Sequence, residues 1–205
     1  IFFFFLLPEE LFVMHLLEWE LPLPKENLFD YAKRMASKID HKECILIGVS
    51  FGGILVQEMK QFLNPKKVVI ISSVKSNVEL PRKMKIARTT KAYKLIPTKL
   101  FENVENLAKY AFGDYVKNRI KLYEKFLSMR DKNYLDWSIE QIINWNRVEA
   151  DEEIIHIHGD ADEVFPIKYI KNPIVVKGGT HIMIINKYKW LNENRNQELI
   201  LLCSI

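Results

Sequence analysis

Five short apolar runs, each followed by a turn or a polar break, recur along this chain of 205 residues. Their length and composition are typical of strands that are buried in a parallel sheet. The runs cover residues 11–19, 43–50, 66–73, 152–159 and 172–179. Helical periodicity separates them at residues 25–40 and again at 54–64, which ends at an Asn-Pro pair. Strands that alternate with helices predict an α/β protein with a parallel sheet flanked by helices.

The alternation stops between residues 81 and 148, where only helical periodicity continues. Since no linker or internal repeat sets this segment apart, we expect a helical cap inserted into a single domain of residues 1–205. Residues 81–130 contain thirteen Lys or Arg and four Asp or Glu, a formal charge of +9 in a chain with a net charge of +4. The lysines are spread along amphipathic helices, which favours a solvated face over a surface for anionic membrane or nucleic acid. The cap can still steer an anionic substrate.

The bulk composition is that of a globular protein without a disulfide framework. Hydrophobic residues make up 48% of the chain and charged residues 27%. The two cysteines, Cys44 and Cys203, form no CxxC pair or zinc-type spacing, which favours a reducing, cytoplasmic setting. The opening run "IFFFFLLPEE" is too short for a membrane span and is expected to belong to a core helix. The chain has no Walker or Rossmann glycine pattern and no metal-ligand cluster, so no cofactor, metal or nucleic-acid partner is predicted.

Three of only seven glycines surround one serine in "IGVSFGG", residues 47–53. Gly48, Ser50 and Gly52 form a G-x-S-x-G pattern between an apolar run and a helical segment. A nucleophile at a sharp strand-to-helix turn needs neighbours without side chains two residues to either side, so that strand and helix can pack. The turn exposes the hydroxyl near backbone N–H groups at the helix start. A plain glycine turn is the alternative explanation.

A serine nucleophile requires a histidine base, and the chain has five histidines. Three of them, His15, His156 and His158, lie within strand patterns and are interpreted as structural. His41 precedes the serine strand and is expected at the opposite end of the sheet. His181, in "VVKGGTH", follows a strand through a loop of small residues and is the predicted base.

The acid is expected after the strand that ends at Gly159, where Asp160, Asp162 and Glu163 follow. The segment from His158 to Pro166 reads H-G-x-x-D-x-x-x-P and resembles the acid segment of the α/β-hydrolase superfamily. The resemblance extends from about residue 11 to 186, and the order serine, acid, histidine is that of the superfamily. It implies an α/β-hydrolase-like sheet with a helical cap, and it assigns the acid to Asp162, with Asp160 as the less favoured alternative.

The resemblance implies a serine hydrolase that cleaves a small-molecule carboxylic ester or thioester. Ser50 would be the nucleophile, His181 the base and Asp162 the acid that orients it. The backbone N–H of Phe51 is the expected first oxyanion donor. Some relatives with the same triad cleave carbon–carbon bonds, and neither the substrate nor the oligomeric state can be read from the sequence.

The sequence departs from the superfamily pattern before the serine turn. The second oxyanion donor usually comes from a glycine-containing loop after an earlier strand, yet no glycine precedes Gly48. We therefore expect that loop and its strand to lie upstream of Ile1, so that the domain is incomplete at its N-terminus. The alternative function is a non-catalytic hydrolase-fold remnant that lacks a complete oxyanion hole.

Overall fold

Four parallel strands form one sheet in the computed structural model, which describes residues 15–41, 43–96, 98, 129 and 131–195. Their order in the sheet is β1-β2-β3-β4. The strands are β1 (Ile45–Val49), β2 (Lys67–Ile71), β3 (Ile155–Gly159) and β4 (Ile174–Val176). Each is a shortened version of a predicted apolar run. The prediction of an α/β protein with a parallel sheet is confirmed.

Helices connect and flank these strands. They are α1 (Leu28–Ala36), α2 (Phe51–Met59), α3 (Arg82–Thr90), α4 (Lys132–Asn144), α5 (Met183–Asn186) and α6 (Tyr188–Arg195). Short 3₁₀ turns occur at Asn77–Glu79, Ala92–Leu95 and Ile167–Tyr169. Among the described residues, no helix has the length and apolar character needed to cross a lipid bilayer.

Strand β2 divides the core into two clusters because its side chains alternate between the faces of the sheet. Val68 and Ile70 pack with the cluster that includes residues of α1 and α2. Val69 and Ile71 pack on the opposite face, in a cluster that includes residues of α5 and α6. The sheet is therefore covered by helices on both faces, as a parallel sheet requires.

The strands are in register at their carboxyl ends, which positions the following loops together. Val49 lies opposite Ile71, and Ile71 lies opposite Ile157 in the next strand. Gly159 in turn lies opposite Val176. The residues after β1, β3 and β4 therefore emerge at one edge of the sheet.

The predicted strand at residues 11–19 is wrong over its described part, residues 15–19, which form no strand. The Tyr31 hydroxyl donates to the carbonyl oxygen of Glu20 at 2.9 Å and accepts from its N–H at 3.2 Å. A side chain of α1 thus binds the backbone of the residue directly after this run. Residues 11–14 lie outside the described residues.

The described part of the predicted helical insertion at residues 81–148 contains helices and no strand. It contains α3, the 3₁₀ turn at Ala92–Leu95 and α4. Residues 97, 99–128 and 130 lie outside the described part. The Trp137 ring of α4 contacts the Phe51 ring of α2, with ring centroids 5.6 Å apart. One helix of the insertion therefore packs directly against the serine turn.

Candidate active site

Ser50 lies at the turn between β1 and α2 and has a positive φ of 54°, with ψ of −122°. This conformation is strained for any residue other than glycine, at a cost on the order of 1–3 kcal/mol. Three hydrogen bonds hold it. The Ser50 N–H donates to the Ile71 carbonyl at 3.0 Å, and the Ser50 carbonyl accepts from Gly53 N–H at 2.9 Å. The Ser73 hydroxyl donates to the same carbonyl at 2.8 Å.

Two of the three glycines near Ser50 have no room for a side chain. A Cβ at Gly48 would lie 2.1 Å from the carbonyl oxygen of Gly52, and a Cβ at Gly53 would lie 2.4 Å from the Ser73 Oγ. A Cβ at Gly52 would meet only the Trp19 ring, at an ordinary 3.6 Å. The prediction that the turn requires glycine is confirmed at Gly48 and is wrong at Gly52. On the helix side it is Gly53 that lies too close to Ser73 for a side chain.

Ser50, His181 and Asp162 form a continuous hydrogen-bonded chain. The Ser50 Oγ lies 2.9 Å from the His181 Nε2. The His181 Nδ1 lies 2.9 Å from the Asp162 Oδ2. Because a carboxylate only accepts, Nδ1 carries the hydrogen and Nε2 presents its lone pair to the serine hydroxyl. The structure brings the predicted nucleophile, base and acid together in that order.

Asp162 is a buried carboxylate with a full set of donors. Its side chain is 0% exposed, whereas that of His181 is 13% exposed. Its Oδ1 accepts from the backbone N–H groups of Val164 at 2.8 Å and Phe165 at 2.9 Å. Burial by itself raises the pKa of Asp162, but the hydrogen bond and charge interaction with His181, the Phe165 N–H and the nearby His158 outweigh it. The resulting pKa lies below the ordinary aspartate value, so Asp162 is an anion at neutral pH.

The alternative acids lie elsewhere. The Asp160 Oδ1 accepts from the Gly178 N–H at 2.6 Å, so this side chain ties two loops together. Glu163 is exposed.

The alternative histidines are also separate from the serine. His15 and His41 are exposed and contact each other with tilted rings, whose centroids lie 4.6 Å apart. His15 was expected within a strand, and that expectation is wrong. His156 and His158 are buried in β3, as their strand pattern predicted.

Phe51 is the first residue of α2, directly after the serine. The first N–H groups of a helix have no partner within it, so the Phe51 N–H is oriented toward the space beyond the helix end. The Phe51 ring is buried, stacking on Trp19 with centroids 5.7 Å apart and meeting Trp137 edge-on. Sequence reasoning missed Trp19, Trp137 and Ser73 because each reaches the serine turn through tertiary packing and carries no local motif.

No group of three or more His, Cys, Asp or Glu side chains that could hold a metal ion is found among the described residues.

The sequence matches no protein-family model and no curated protein. Solved structures do resemble it. A hydrolase from Pseudomonas aeruginosa aligns with a TM-score of 0.62 at 13% identity, over 90% of this chain and 74% of that one. A bromoperoxidase from Bacillus anthracis gives 0.60 at 18% identity, over 89% and 76%. A lipase-esterase related protein from Clostridium acetobutylicum gives 0.59 at 16% identity, over 83% and 75%. At these identities the likeness establishes the fold, which is that of the α/β hydrolases.

Proposed function

We propose that this protein is a serine hydrolase that cleaves a small carboxylic ester or thioester through an acyl-enzyme. One observation carries the proposal: the hydrogen-bonded chain from Ser50 through His181 to the buried carboxylate of Asp162. A serine hydroxyl is a weak nucleophile, and a positioned imidazole backed by a carboxylate is the arrangement that activates it. The α/β-hydrolase fold adds support, since two of the similar structures are named as a lipase-esterase related protein and a hydrolase.

The proposed reaction has two steps. In the first, the Ser50 Oγ attacks the ester carbonyl while His181 Nε2 takes its proton. That proton then passes to the leaving alcohol or thiol as the carbon–oxygen or carbon–sulfur bond breaks. In the second, His181 removes a proton from water as the water attacks the acyl-serine, and it returns that proton to the Ser50 Oγ as the ester bond breaks and the carboxylic acid leaves. Asp162 holds Nδ1–H throughout and stabilises the imidazolium.

The start of α2 supplies the proposed stabilisation of the oxyanion. The Phe51 N–H follows the nucleophile directly, where a developing negative charge meets the positive end of the helix. We also propose that residues 81–148 form a cap on a single hydrolase domain. The contact between Trp137 and Phe51 supports this, because it joins a helix of that segment to the serine turn. The cysteine pattern supports a cytoplasmic setting.

The test is covalent labelling of the purified protein with a fluorophosphonate probe, followed by hydrolysis of p-nitrophenyl butyrate. We expect labelling of the wild type and its loss in Ser50→Ala and His181→Ala. Asp160→Asn is the matched control for Asp162→Asn, since only Asp162 contacts His181. We expect Asp162→Asn to lower kcat by up to about 10⁴-fold and Asp160→Asn to retain activity. A folded wild type that resists the probe would identify a non-catalytic hydrolase-fold protein instead.

A further inference from the structure

Two histidines that the proposed reaction does not use are buried in β3 beside the acid. His156 is 2% exposed and His158 is 0% exposed. The His156 Nε2 lies 3.1 Å from the His158 Nδ1. The His158 Nε2 in turn lies 2.8 Å from the Phe165 carbonyl oxygen and 3.6 Å from the Asp162 Oδ2. This chain of ring nitrogens ends at the carboxylate that binds His181.

The proton positions on both rings follow from the last acceptor in this chain, the Phe165 carbonyl oxygen. A carbonyl oxygen only accepts, so the His158 Nε2 carries a hydrogen and donates it to Phe165. Burial lowers the pKa of both histidines, that of His156 to about 3, so both rings are neutral at neutral pH. The His158 Nδ1 is therefore an acceptor, and the His156 Nε2 must donate to it. Each ring is held as its Nε2–H tautomer.

Phe165 connects this pair to the catalytic groups. Its carbonyl oxygen is held by His158, while its N–H donates to the Asp162 Oδ1 at 2.9 Å. Its ring meets the His181 ring edge-on, with centroids 5.5 Å apart. One hydrogen bond from His158 thus fixes the residue that touches both the acid and the base.

We infer that His158 is a positioning residue for Asp162 and His181, and that His156 fixes the tautomer in which it acts. The inference rests on the proposed serine hydrolase function. In the other tautomer, the His158 Nε2 lone pair would face the Phe165 carbonyl and the Asp162 carboxylate, and all three groups would repel one another. The His156 N–H prevents this by occupying the His158 Nδ1. The two histidines therefore help to hold Asp162 and Phe165, which in turn position His181.

Matched variants separate this role from packing. Glutamine can present an N–H at the position of a histidine Nε2, whereas methionine fills a similar volume without a donor. We expect His158→Met to lower kcat for p-nitrophenyl butyrate by about 10- to 100-fold with KM changed less than about two-fold, because small displacements of catalytic groups mainly slow the chemical step. We expect His158→Gln to recover most of that loss. If urea unfolding shows that both variants are folded, equal activity of the two would overturn the inference.

His156 is tested in the same way. We expect His156→Met to lower kcat by several-fold, since His158 is then free to adopt either tautomer, and His156→Gln to restore it. If His156→Met retains full activity while His158→Met does not, the tautomer role is refuted and only the direct role of His158 stands.

A second readout needs no catalysis, so it distinguishes failure of this inference from failure of the proposed function. Long-range ¹H–¹⁵N spectra of the Ser50→Ala protein report which ring nitrogens are protonated. We expect protonated Nε2 and unprotonated Nδ1 at His158, and a hydrogen-bonded Nδ1 proton at His181 that is lost with His158→Met and kept with His158→Gln. A protonated His158 Nδ1, or a His181 proton that both variants preserve, would contradict the positioning role even if the wild type proves inactive.

Discussion

Acid is expected to destabilise the folded protein through His156, and the size of the effect follows from the pKa shift that burial causes. The pKa of His156 falls from an ordinary 6.5 to about 3, first because burial disfavours the charged ring, and then because His158 and Lys75 repel a positive charge there. Between those two values the unfolded chain holds a proton that the folded chain does not. The free energy of unfolding therefore falls as the pH falls below about 6.5, by about 1.4 kcal/mol for each pH unit.

His156→Gln isolates this contribution, because glutamine keeps an N–H for His158 but does not titrate. His158 acts in the same direction as His156, since burial lowers its pKa too. Glu79 acts oppositely: burial raises its pKa, so its contribution is present below the ordinary glutamate value and is lost as the pH rises through the raised one. The difference between wild type and variant removes both effects.

The assay is urea unfolding followed by tryptophan fluorescence, at several pH values from about 6.5 down to about 4.5. We expect the wild-type stability to fall more steeply than that of His156→Gln, by about 1.4 kcal/mol per pH unit. Over two pH units this difference is a large share of a typical domain stability of about 5–15 kcal/mol. Parallel pH profiles for the two proteins would show that His156 is charged in the folded state, which would refute the reasoning.

Four further substitutions test the serine turn and one buried carboxylate, Glu79. Gly48→Ala is expected to lower the free energy of unfolding by about 3 kcal/mol, because its Cβ has no room. Gly52→Ala has room and is expected to leave that free energy unchanged or raise it by up to about 1 kcal/mol. Urea unfolding measures both variants. Ser73→Ala removes the hydroxyl that donates to the Ser50 carbonyl, so fluorophosphonate labelling is expected to slow several-fold. An unchanged labelling rate would contradict this role of Ser73. Glu79→Gln leaves one acceptor oxygen where the buried carboxylate accepts two backbone N–H groups, so thermal and urea unfolding should show a loss of about 1–3 kcal/mol.

The sequence predicted the sheet, and the loops of Ser50 and His181, from local signals, whereas the choice of Asp162 among three acidic residues came from the resemblance to the superfamily's acid segment. Short apolar runs mark parallel strands, and loops after such strands converge at one edge. The failure at residues 15–19 has a different cause. That run is apolar enough for a strand, but the backbone of Glu20 directly after it binds the Tyr31 hydroxyl, a partner that no local pattern reveals.

The residues that support the site could not be predicted from the sequence either, because their contacts also depend on tertiary packing. Whether Gly52 or Gly53 must lack a side chain depends on where Ser73 of the neighbouring strand end lies. His158 could be assigned to a strand, but its contact with Phe165 depends on how the following loop folds back. Such contacts join residues that lie close together only once the sheet and its loops have formed.

The site contains two unfavourable local features, and groups outside the proposed triad offset both of them. Ser50 has a strained backbone, and its carbonyl is held by the Ser73 hydroxyl beyond β2. Asp162 keeps a buried negative charge, which is stabilised by backbone N–H groups of its own loop, and His158 holds the turn that carries them. The hydrogen bonds among Ser50, His181 and Asp162 do not by themselves offset the backbone strain or the buried charge. Damage to the loops after β2 and β3 should therefore impair the proposed chemistry before it unfolds the sheet, because those loops support the geometry on which the serine depends.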